Sequence, residues 1–139
     1  MIKYLLASHG NFSEGTKSFL NIMVGDTSSV YTLSAFLDTD SVDVKVQKAM
    51  TEIGDFDELL VFCDIHGGSV AQEVYKQLND DPRVHIIAGY NIALVLDLMC
   101  RGEGVTRDDI RESIEGCKDA IVYLNDFQVD DSIGDTDLF

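Results

Sequence analysis

The sequence predicts an α/β fold that is doubly wound, with a mostly parallel sheet and helices on both faces. Short apolar runs typical of strands alternate with segments whose apolar residues recur at helical spacing. The strand-like runs are apolar almost throughout, as is typical of strands that are covered on both faces. Polar turns separate the two kinds of segment, so each strand leads through a helix to the next strand.

The first half of the chain contains three predicted strands, over residues 2–7, 30–37 and 59–63. Apolar residues recur at helical spacing between these strands, first over 16–23 and then over 42–53. A glycine follows each helical stripe, Gly25 after the first and Gly54 after the second. Because glycine is the residue that most often follows the end of a helix, the two predicted helices end there.

The second half continues the same alternation. Ser69 and Gln72 have the spacing of a capping box, which predicts that a helix begins at Ser69. A fourth strand is predicted over 84–88, and the strongly apolar segment 92–99 predicts a buried helix. Two further elements complete the prediction, a helix that starts near Thr106 and a last strand over 120–124.

Length and hydropathy predict one domain, over residues 1–124, followed by an acidic tail over 125–139 that holds five aspartates. Hydrophobic residues make up 45% of the 139 residues, enough for a core. No apolar run reaches the roughly 18 residues that a membrane span needs. The first residues do not resemble a signal peptide, so we expect a cytoplasmic protein that does not itself span the membrane.

The charge and the cysteines exclude several classes of function. A net charge of −15 repels phosphate backbones, which argues against nucleic-acid binding. The acidic surface is either a solvated face or a surface for a basic protein partner. The three cysteines form no Cys-x-x-Cys pair, so neither a zinc knuckle nor a disulfide framework is predicted.

Two predicted strands end in residues that carry chemistry. His9 ends the first strand in ASHG, and Asp64 follows the third strand in CDIHGGS. In an open parallel sheet, ligands bind beyond the carboxyl ends of the strands, where the strand order reverses. If these two strands are neighbours, the carboxylate of Asp64 orients the imidazole of His9 and stabilises positive charge on the ring.

The segment after Asp64 suits an anion. Gly67, Gly68 and Ser69 lead into a predicted helix, whose free backbone N–H groups and dipole favour a phosphoryl group. A nucleophilic ring nitrogen, a carboxylate and an anion cradle together predict phosphoryl transfer through a phosphohistidine at His9. Each feature alone is typical of an ordinary turn or helix cap, and their joint occurrence carries the prediction.

The other two histidines have alternative interpretations. His66 either packs its ring at the rim of the crevice, hydrogen-bonds the phosphoryl group, or joins His9 and Asp64 in a metal site. Of these, packing is favoured, and no metal site is predicted. His85 lies inside the fourth strand and is interpreted as a structural residue that faces a helix.

At these residues the chain resembles the EIIA domain of the mannose/fructose/sorbose class of the bacterial sugar phosphotransferase system. That family has an apolar strand, then Ser/Thr-His-Gly and Ala/Ser-Glu-Gly, which match residues 8–10 and 13–15. Its second signature is an apolar strand, Asp, two residues and Gly-Gly-Ser/Thr, which matches 64–69. A third match is the segment IIAGYNIALVLDLM. The resemblance covers about residues 1–124.

The resemblance implies a phosphotransferase. His9 would accept a phosphoryl group from the phosphocarrier protein HPr and pass it to a histidine of an EIIB partner, while Asp64 holds the ring. No metal or nucleotide cofactor is implied, because the donor is already a phosphoprotein. Family members form homodimers that exchange the last strand, which implies an antiparallel and exchanged strand over 120–124.

Two departures from the family pattern leave alternatives open. His66 stands where the family usually has an aromatic residue, and Val70, Ala71 and Gln72 replace the usual Pro, aromatic and Asn. The alternative function is a divergent regulatory or ligand-binding module without onward transfer. A third interpretation is the EIIA-like phosphoryl donor of dihydroxyacetone kinases. The pattern FSEG fits the sugar class better than that donor.

Overall fold

A computed structural model describes residues 1–127 of the protein. Four strands alternate with the first helices, and two further helices and two short 3-10 turns follow within these residues. The elements are β1 (Ile2–His9), α1 (Phe12–Met23), β2 (Val30–Ala35), α2 (Val42–Ile53), β3 (Glu58–Cys63), α3 (Ser69–Leu78), β4 (Val84–Ala88), α4 (Ile92–Arg101), α5 (Arg107–Cys117), and the turns Lys118–Ala120 and Leu124–Asp126. The predicted tail, 125–139, lies outside the described residues except for 125–127.

The sheet is parallel throughout its four described strands, in the order β2-β1-β3-β4. Strand β1 lies at the centre, where Ala7 is opposite Leu33 of β2 and Cys63 of β3. The chain therefore moves from β1 outward to one side and then to the other, and the strand order reverses between β1 and β3. This confirms the predicted α/β class and makes the first and third strands neighbours.

Helices cover both faces of the sheet, as predicted. One face packs against α2 and α3, and its core includes Leu5, Val46 and Val74. The other packs against α1, α4 and α5, and its core includes Leu6 and Leu98. Alternate residues of β1 enter opposite cores, so this strand is buried on both sides. Fully burying each such side chain stabilises the fold by roughly 1.5–3 kcal/mol relative to exposure.

Helix ends follow the sequence signals in some places and not in others. The Thr106 hydroxyl accepts from the N–H of Asp109, and the Asp109 carboxylate accepts from the N–H of Thr106, which completes a capping box at α5. The predicted capping box of α3 is wrong. Gly68 occupies the N-cap position, and Ser69 is already the first helical residue, because Gly68 takes the extended backbone that an N-cap needs.

The predicted last strand, over 120–124, does not form among the described residues. The segment leaves α5 through a 3-10 turn and pairs with no strand, and the side chains of Ile121 and Tyr123 are 78% and 66% exposed. The expectation of an antiparallel, exchanged strand is therefore not supported. An apolar run acquires strand structure only where a sheet edge pairs with it, and here it meets none.

None of the helices in the described part of the chain is long and apolar enough to cross a membrane.

Candidate functional site

His9 and Asp64 meet at the carboxyl edge of the sheet. His9 is the last residue of β1, and Asp64 follows directly after β3. The Nδ1 atom of His9 lies 2.8 Å from Oδ2 of Asp64, and the backbone N–H of His9 donates to the same oxygen at 2.8 Å. The structure thus brings together the two residues predicted from the strand ends, with the ring and the main chain of His9 held by one carboxylate.

The Asp64 carboxylate is itself fixed by the main chain. Its Oδ1 accepts from the N–H of Ile65 at 2.9 Å, and its own N–H donates to the carbonyl of Ala7 at 3.1 Å. Burial alone would raise the pKa of Asp64, but the hydrogen bonds and the charge of His9, together with the N–H of Ile65, lower that pKa below its usual value. The carboxylate is therefore ionised at neutral pH and accepts the Nδ1–H of His9.

The opposite nitrogen of the ring faces the start of α3. Because Nδ1–H donates a hydrogen bond to Asp64, the lone pair of the neutral His9 ring lies on Nε2. The hydroxyl oxygen of Ser69 lies 3.5 Å from Nε2, and the His9 side chain is 43% exposed. This geometry leaves Nε2 free to attack an incoming electrophile and puts a hydroxyl beside it.

The glycine pair gives the loop its shape. Gly67 has φ +81°, in the left-handed region that favours glycine. A Cβ on Gly68 would lie 2.7 Å from Cγ2 of Ile65 and 3.4 Å from Cε1 of His9, so a larger residue would displace one of them. The loop therefore approaches the imidazole closely and delivers the unpaired first-turn N–H groups of α3 to the same edge. Gly67, Gly68 and Ser69 lie where an anion cradle was predicted.

A buried hydroxyl network supports the turn after His9, and sequence reasoning missed it. The Ser8 hydroxyl donates to the carbonyl of Gly10 at 3.1 Å and accepts from the N–H of Ser13 at 2.8 Å. The Ser13 hydroxyl donates to the carbonyl of Leu33 and contacts the Ser34 hydroxyl, both at 3.1 Å. Ser8 and Ser13 appear in the two family motifs, yet the sequence does not show that they bond each other.

Phe36 is a second residue that the sequence did not single out. It was placed within the second strand, but β2 ends at Ala35 and Phe36 turns back over the site. Its ring stacks on the imidazole of His9, with centroids 5.1 Å apart and planes at 25°. The stack covers one face of the proposed nucleophile.

The other two histidines form no hydrogen bond to His9 or Asp64 in the described part of the chain. His66 is exposed and lines a cavity of about 350 Å³ together with Tyr75 of α3 and Ile86 of β4. Among residues 1–127 no three His, Cys, Asp or Glu side chains are grouped so as to hold a metal ion. Nε2 of His85 lies 2.7 Å from Oε2 of Glu58 and its side chain is 10% exposed, which fits a structural role.

The thiol nearest to the site is not a competing nucleophile. Cys63 is fully buried at the end of β3, beside Asp64. Burial, and secondarily the charge of Asp64, raise the pKa of this thiol to about 12. A neutral thiol is a poor nucleophile, so Cys63 does not compete with His9, the candidate nucleophile at this edge.

Comparisons with known proteins agree with the fold and the motifs. A family model described as the PTS system fructose IIA component matches residues 3–115. A "PTS system fructose-specific EIIA component" of Bacillus subtilis (strain 168) is 21% identical over 117 residues, which are 83% of this chain and 80% of that protein.

Solved structures show the same architecture. A phosphoenolpyruvate-dependent sugar phosphotransferase system permease from Klebsiella pneumoniae has a TM-score of 0.80 and 30% identity, covering 90% of this chain and 92% of its own. A mannose/sorbose specific IIA subunit from Enterococcus faecalis has a TM-score of 0.74 and 18% identity, covering 92% and 98%; at that identity the likeness concerns the fold alone. The family model spans most of the chain, and this protein therefore belongs to the EIIA family of the mannose/fructose class of the sugar phosphotransferase system.

Proposed function

We propose that this protein is a phosphoryl carrier of the cytoplasm, which accepts a phosphoryl group from HPr on His9 and passes it to an EIIB component. The observation that carries the proposal is the orientation of the imidazole. Nδ1 is held 2.8 Å from the Asp64 carboxylate, while Nε2 faces outward beside Ser69. An imidazole with one nitrogen fixed and the other exposed suits reversible transfer at the exposed nitrogen.

The transfer is a displacement at phosphorus. The lone pair of Nε2 forms the new nitrogen–phosphorus bond as the bond between phosphorus and the donor atom breaks, and the donor keeps that electron pair. His9 retains its Nδ1 proton throughout, so the phosphorylated ring carries a positive charge, which the Asp64 carboxylate offsets at 2.8 Å. Transfer to EIIB reverses these steps and leaves a neutral ring. The scheme draws on no nucleotide and no metal.

The loop before α3 would hold the phosphoryl oxygens. The backbone of Gly67, Gly68 and Ser69 and the Ser69 hydroxyl lie at a helix N-terminus, where negative charge is favoured. The N–H of Gly68 already donates to the carbonyl of Ile65 at a long 3.5 Å, so it would turn to the phosphoryl group only by giving up that bond. These donors match the charge that is spread over the phosphoryl oxygens in the transition state. His66 lies in the same loop and is exposed, so a hydrogen bond from its ring to the phosphoryl group stays within the proposal.

Apolar side chains beside the site would receive the partners. Phe12 and Ile65 are 54% and 56% exposed, and each is close in sequence to a site residue. Exposed apolar side chains around a reactive group are typical of an interaction surface. The net charge of −15 favours partners whose docking face is basic.

We also propose that the protein is a homodimer. The outer edge of β4 pairs with no described strand, and Ile121, Val122, Tyr123 and Leu124 remain exposed. Both features favour association, because an open sheet edge can pair with a strand of another chain and burial of an exposed apolar segment removes apolar surface from water. Light scattering should give twice the chain mass of 15.4 kDa. The monomer mass at every concentration would refute this part of the proposal.

The phosphoryl relay is tested by reconstitution. The protein is incubated with phosphoenolpyruvate, enzyme I and HPr, and mass spectrometry then locates acid-labile phosphate. We expect phosphate on His9, and loss of that phosphate when an EIIB component is added. No label, in a reaction that labels a known EIIA protein, would overturn the proposal.

A second function, a regulatory module without onward transfer, is favoured by one observation. The exposed residue at position 66 is a histidine, where the family usually carries an aromatic residue, so the surface offered to an EIIB differs. The same reconstitution separates the two functions. Label on His9 that no EIIB component removes would favour the regulator.

A further inference from the structure

We propose that Phe36 is a positioning residue, whose ring fixes the plane of the His9 imidazole for transfer at Nε2. The inference rests on the proposed function of His9 and adds a residue that neither family motif contains. Three observations support it. They are the stacking of the two rings, the backbone conformation of Phe36, and the rotational freedom that the other contacts of the site leave to the His9 ring.

The Asp64 hydrogen bond alone does not fix the ring. The Cβ–Cγ bond and the hydrogen bond from Nδ1 to one carboxylate oxygen set the mean orientation of the imidazole, but a single hydrogen bond tolerates small rotations about Cβ–Cγ. The Phe36 ring, with its centroid 5.1 Å away and its plane inclined by 25°, closes one face. The Cα of Gly68 faces the ring at Cε1, where even a methyl group would come within 3.4 Å. These contacts restrict the rotation and direct Nε2 toward Ser69.

The backbone at Phe36 is unusual for such a side chain. Phe36 has φ +67° and is the one non-glycine residue with positive φ among residues 1–127. A left-handed conformation is unfavourable for a bulky residue, and a turn that needed only this conformation would favour glycine. The N–H of Gly10 donates to the carbonyl of Ala35 at 2.8 Å, which ties this turn to the end of β1. The strained turn places an aromatic ring against His9.

The stack also has an electrostatic consequence. In the proposed transfer the imidazole gains a positive charge, and the face of an aromatic ring attracts a cation within about 6 Å. Phe36 therefore stabilises the charged ring more than the neutral one, which lowers the barrier to transfer. Its own side chain is 59% exposed, so the ring is accessible to a docked partner as well.

The test compares Phe36→Leu, which keeps an apolar side chain, with Phe36→Tyr, which keeps the aromatic face. Leu37→Ala is the matched control, because Leu37 is adjacent and similarly exposed (56%) but is not part of the stack. For each variant, proton NMR records the His9 ring resonances, and rapid quench records the phosphorylation rate at saturating phospho-HPr and the concentration for half-saturation.

We expect Phe36→Leu to remove the ring-current shift of the His9 protons and to slow the saturated rate roughly two- to tenfold. Phe36→Tyr should keep both the ring-current shift and the saturated rate near their wild-type values. Leu37→Ala should change at most the half-saturating concentration. Unchanged His9 resonances in Phe36→Leu, or an unchanged saturated rate, would overturn the inference.

Failure of the proposed function gives a different result. In that case neither the wild type nor any variant is phosphorylated, but the His9 ring resonances still show whether the Phe36 ring stacks on the imidazole. A ring-current shift lost in Phe36→Leu and kept in Phe36→Tyr would then support Phe36 as the residue that positions His9. A shift that stays the same in both variants would reject it independently of phosphoryl transfer.

Discussion

The Nδ1 atom of His9 and the Oδ2 atom of Asp64 lie 2.8 Å apart, although 55 positions separate the two residues in the chain. The contact exists because β1 and β3 are adjacent and parallel, so their carboxyl ends lie at one edge. The same oxygen accepts the backbone N–H of His9. The pair therefore couples the reactive side chain to the central strand of the sheet.

Replacing His9 should abolish phosphorylation without unfolding the protein. We expect His9→Gln to give no labelled phosphate and an unchanged circular dichroism spectrum, because the side chain lies at an exposed strand end (43% exposed). His85→Gln is the control, since Gln can still donate to Glu58 and position 85 lies outside the site. Labelling of His9→Gln at the wild-type level would contradict the assignment.

Removing the charge of Asp64 should slow phosphorylation and not abolish it. Asp64→Asn keeps the size of the side chain but no longer offsets the positive ring, and the amide holds the imidazole less firmly. We expect a rate loss of as much as about a hundredfold, measured by rapid quench with phospho-HPr. A wild-type rate would remove Asp64 from the mechanism.

The Asp64 carboxylate should make the free energy of unfolding depend on pH in the acid range. The pKa of Asp64 is lower in the folded protein than in the unfolded chain, so the folded state binds fewer protons and the group stabilises it above about pH 4. That contribution is lost as the pH falls through the folded pKa. The difference in unfolding free energy between wild type and Asp64→Asn should shrink from pH 6 toward acid, as urea titrations at each pH would show. A difference that stays constant over that range would contradict the linkage.

Ser8→Ala should weaken both the fold and the site. The N–H of Ser13 would lose its acceptor in a fully buried position, which costs about 1–3 kcal/mol. The turn after His9 would also lose the bond to Gly10, so we expect slower phosphorylation. Urea unfolding and rapid quench measure the two effects.

A second variant separates stability from positioning in that experiment. Thr106→Ala removes the N-cap of α5, away from the site, at a cost of about 1 kcal/mol. We expect it to lower stability and leave the phosphorylation rate unchanged. If Ser8→Ala and Thr106→Ala slow phosphorylation equally, Ser8 has no positioning role.

Gly68→Ala should disturb the crevice through a single methyl group. Its Cβ would lie 2.7 Å from Cγ2 of Ile65, closer than real side chains approach, so Ile65 or the loop must shift. We expect a loss of stability of about 1–3 kcal/mol and a slower phosphoryl transfer. A crystal structure of the variant would show the shift, and an unmoved loop with a wild-type rate would disprove the close approach.

The strand ends that meet at the site could be predicted from the sequence, because periodicity identifies the strands and a parallel sheet aligns their carboxyl ends. His9 and Asp64 follow from that rule. Phe36 could not be predicted, because the sign of its φ depends on the turn after β2, which a hydrogen bond ties to the end of β1. Ser8 and Ser13 lie close in sequence, but their bond depends on how α1 meets the strand.

The errors of prediction have physical causes too. Ser69 and Gln72 have the spacing of a capping box, but the extended residue is Gly68, so the helix begins one position earlier than a Ser69 cap implies. The run 120–124 is apolar enough for a strand, but strand structure depends on a pairing edge that local sequence does not encode.

One oxygen of Asp64 holds both the main chain and the ring of His9, and this has a consequence for the whole relay. Nε2 of His9 is therefore held in place relative to the sheet, and it is not carried on a flexible side chain. In the proposed relay, a donor protein and a recipient protein would therefore each bring their reactive atom to the same point, one after the other. The order of delivery and collection in that relay would then be set by the rates at which the two proteins encounter this site.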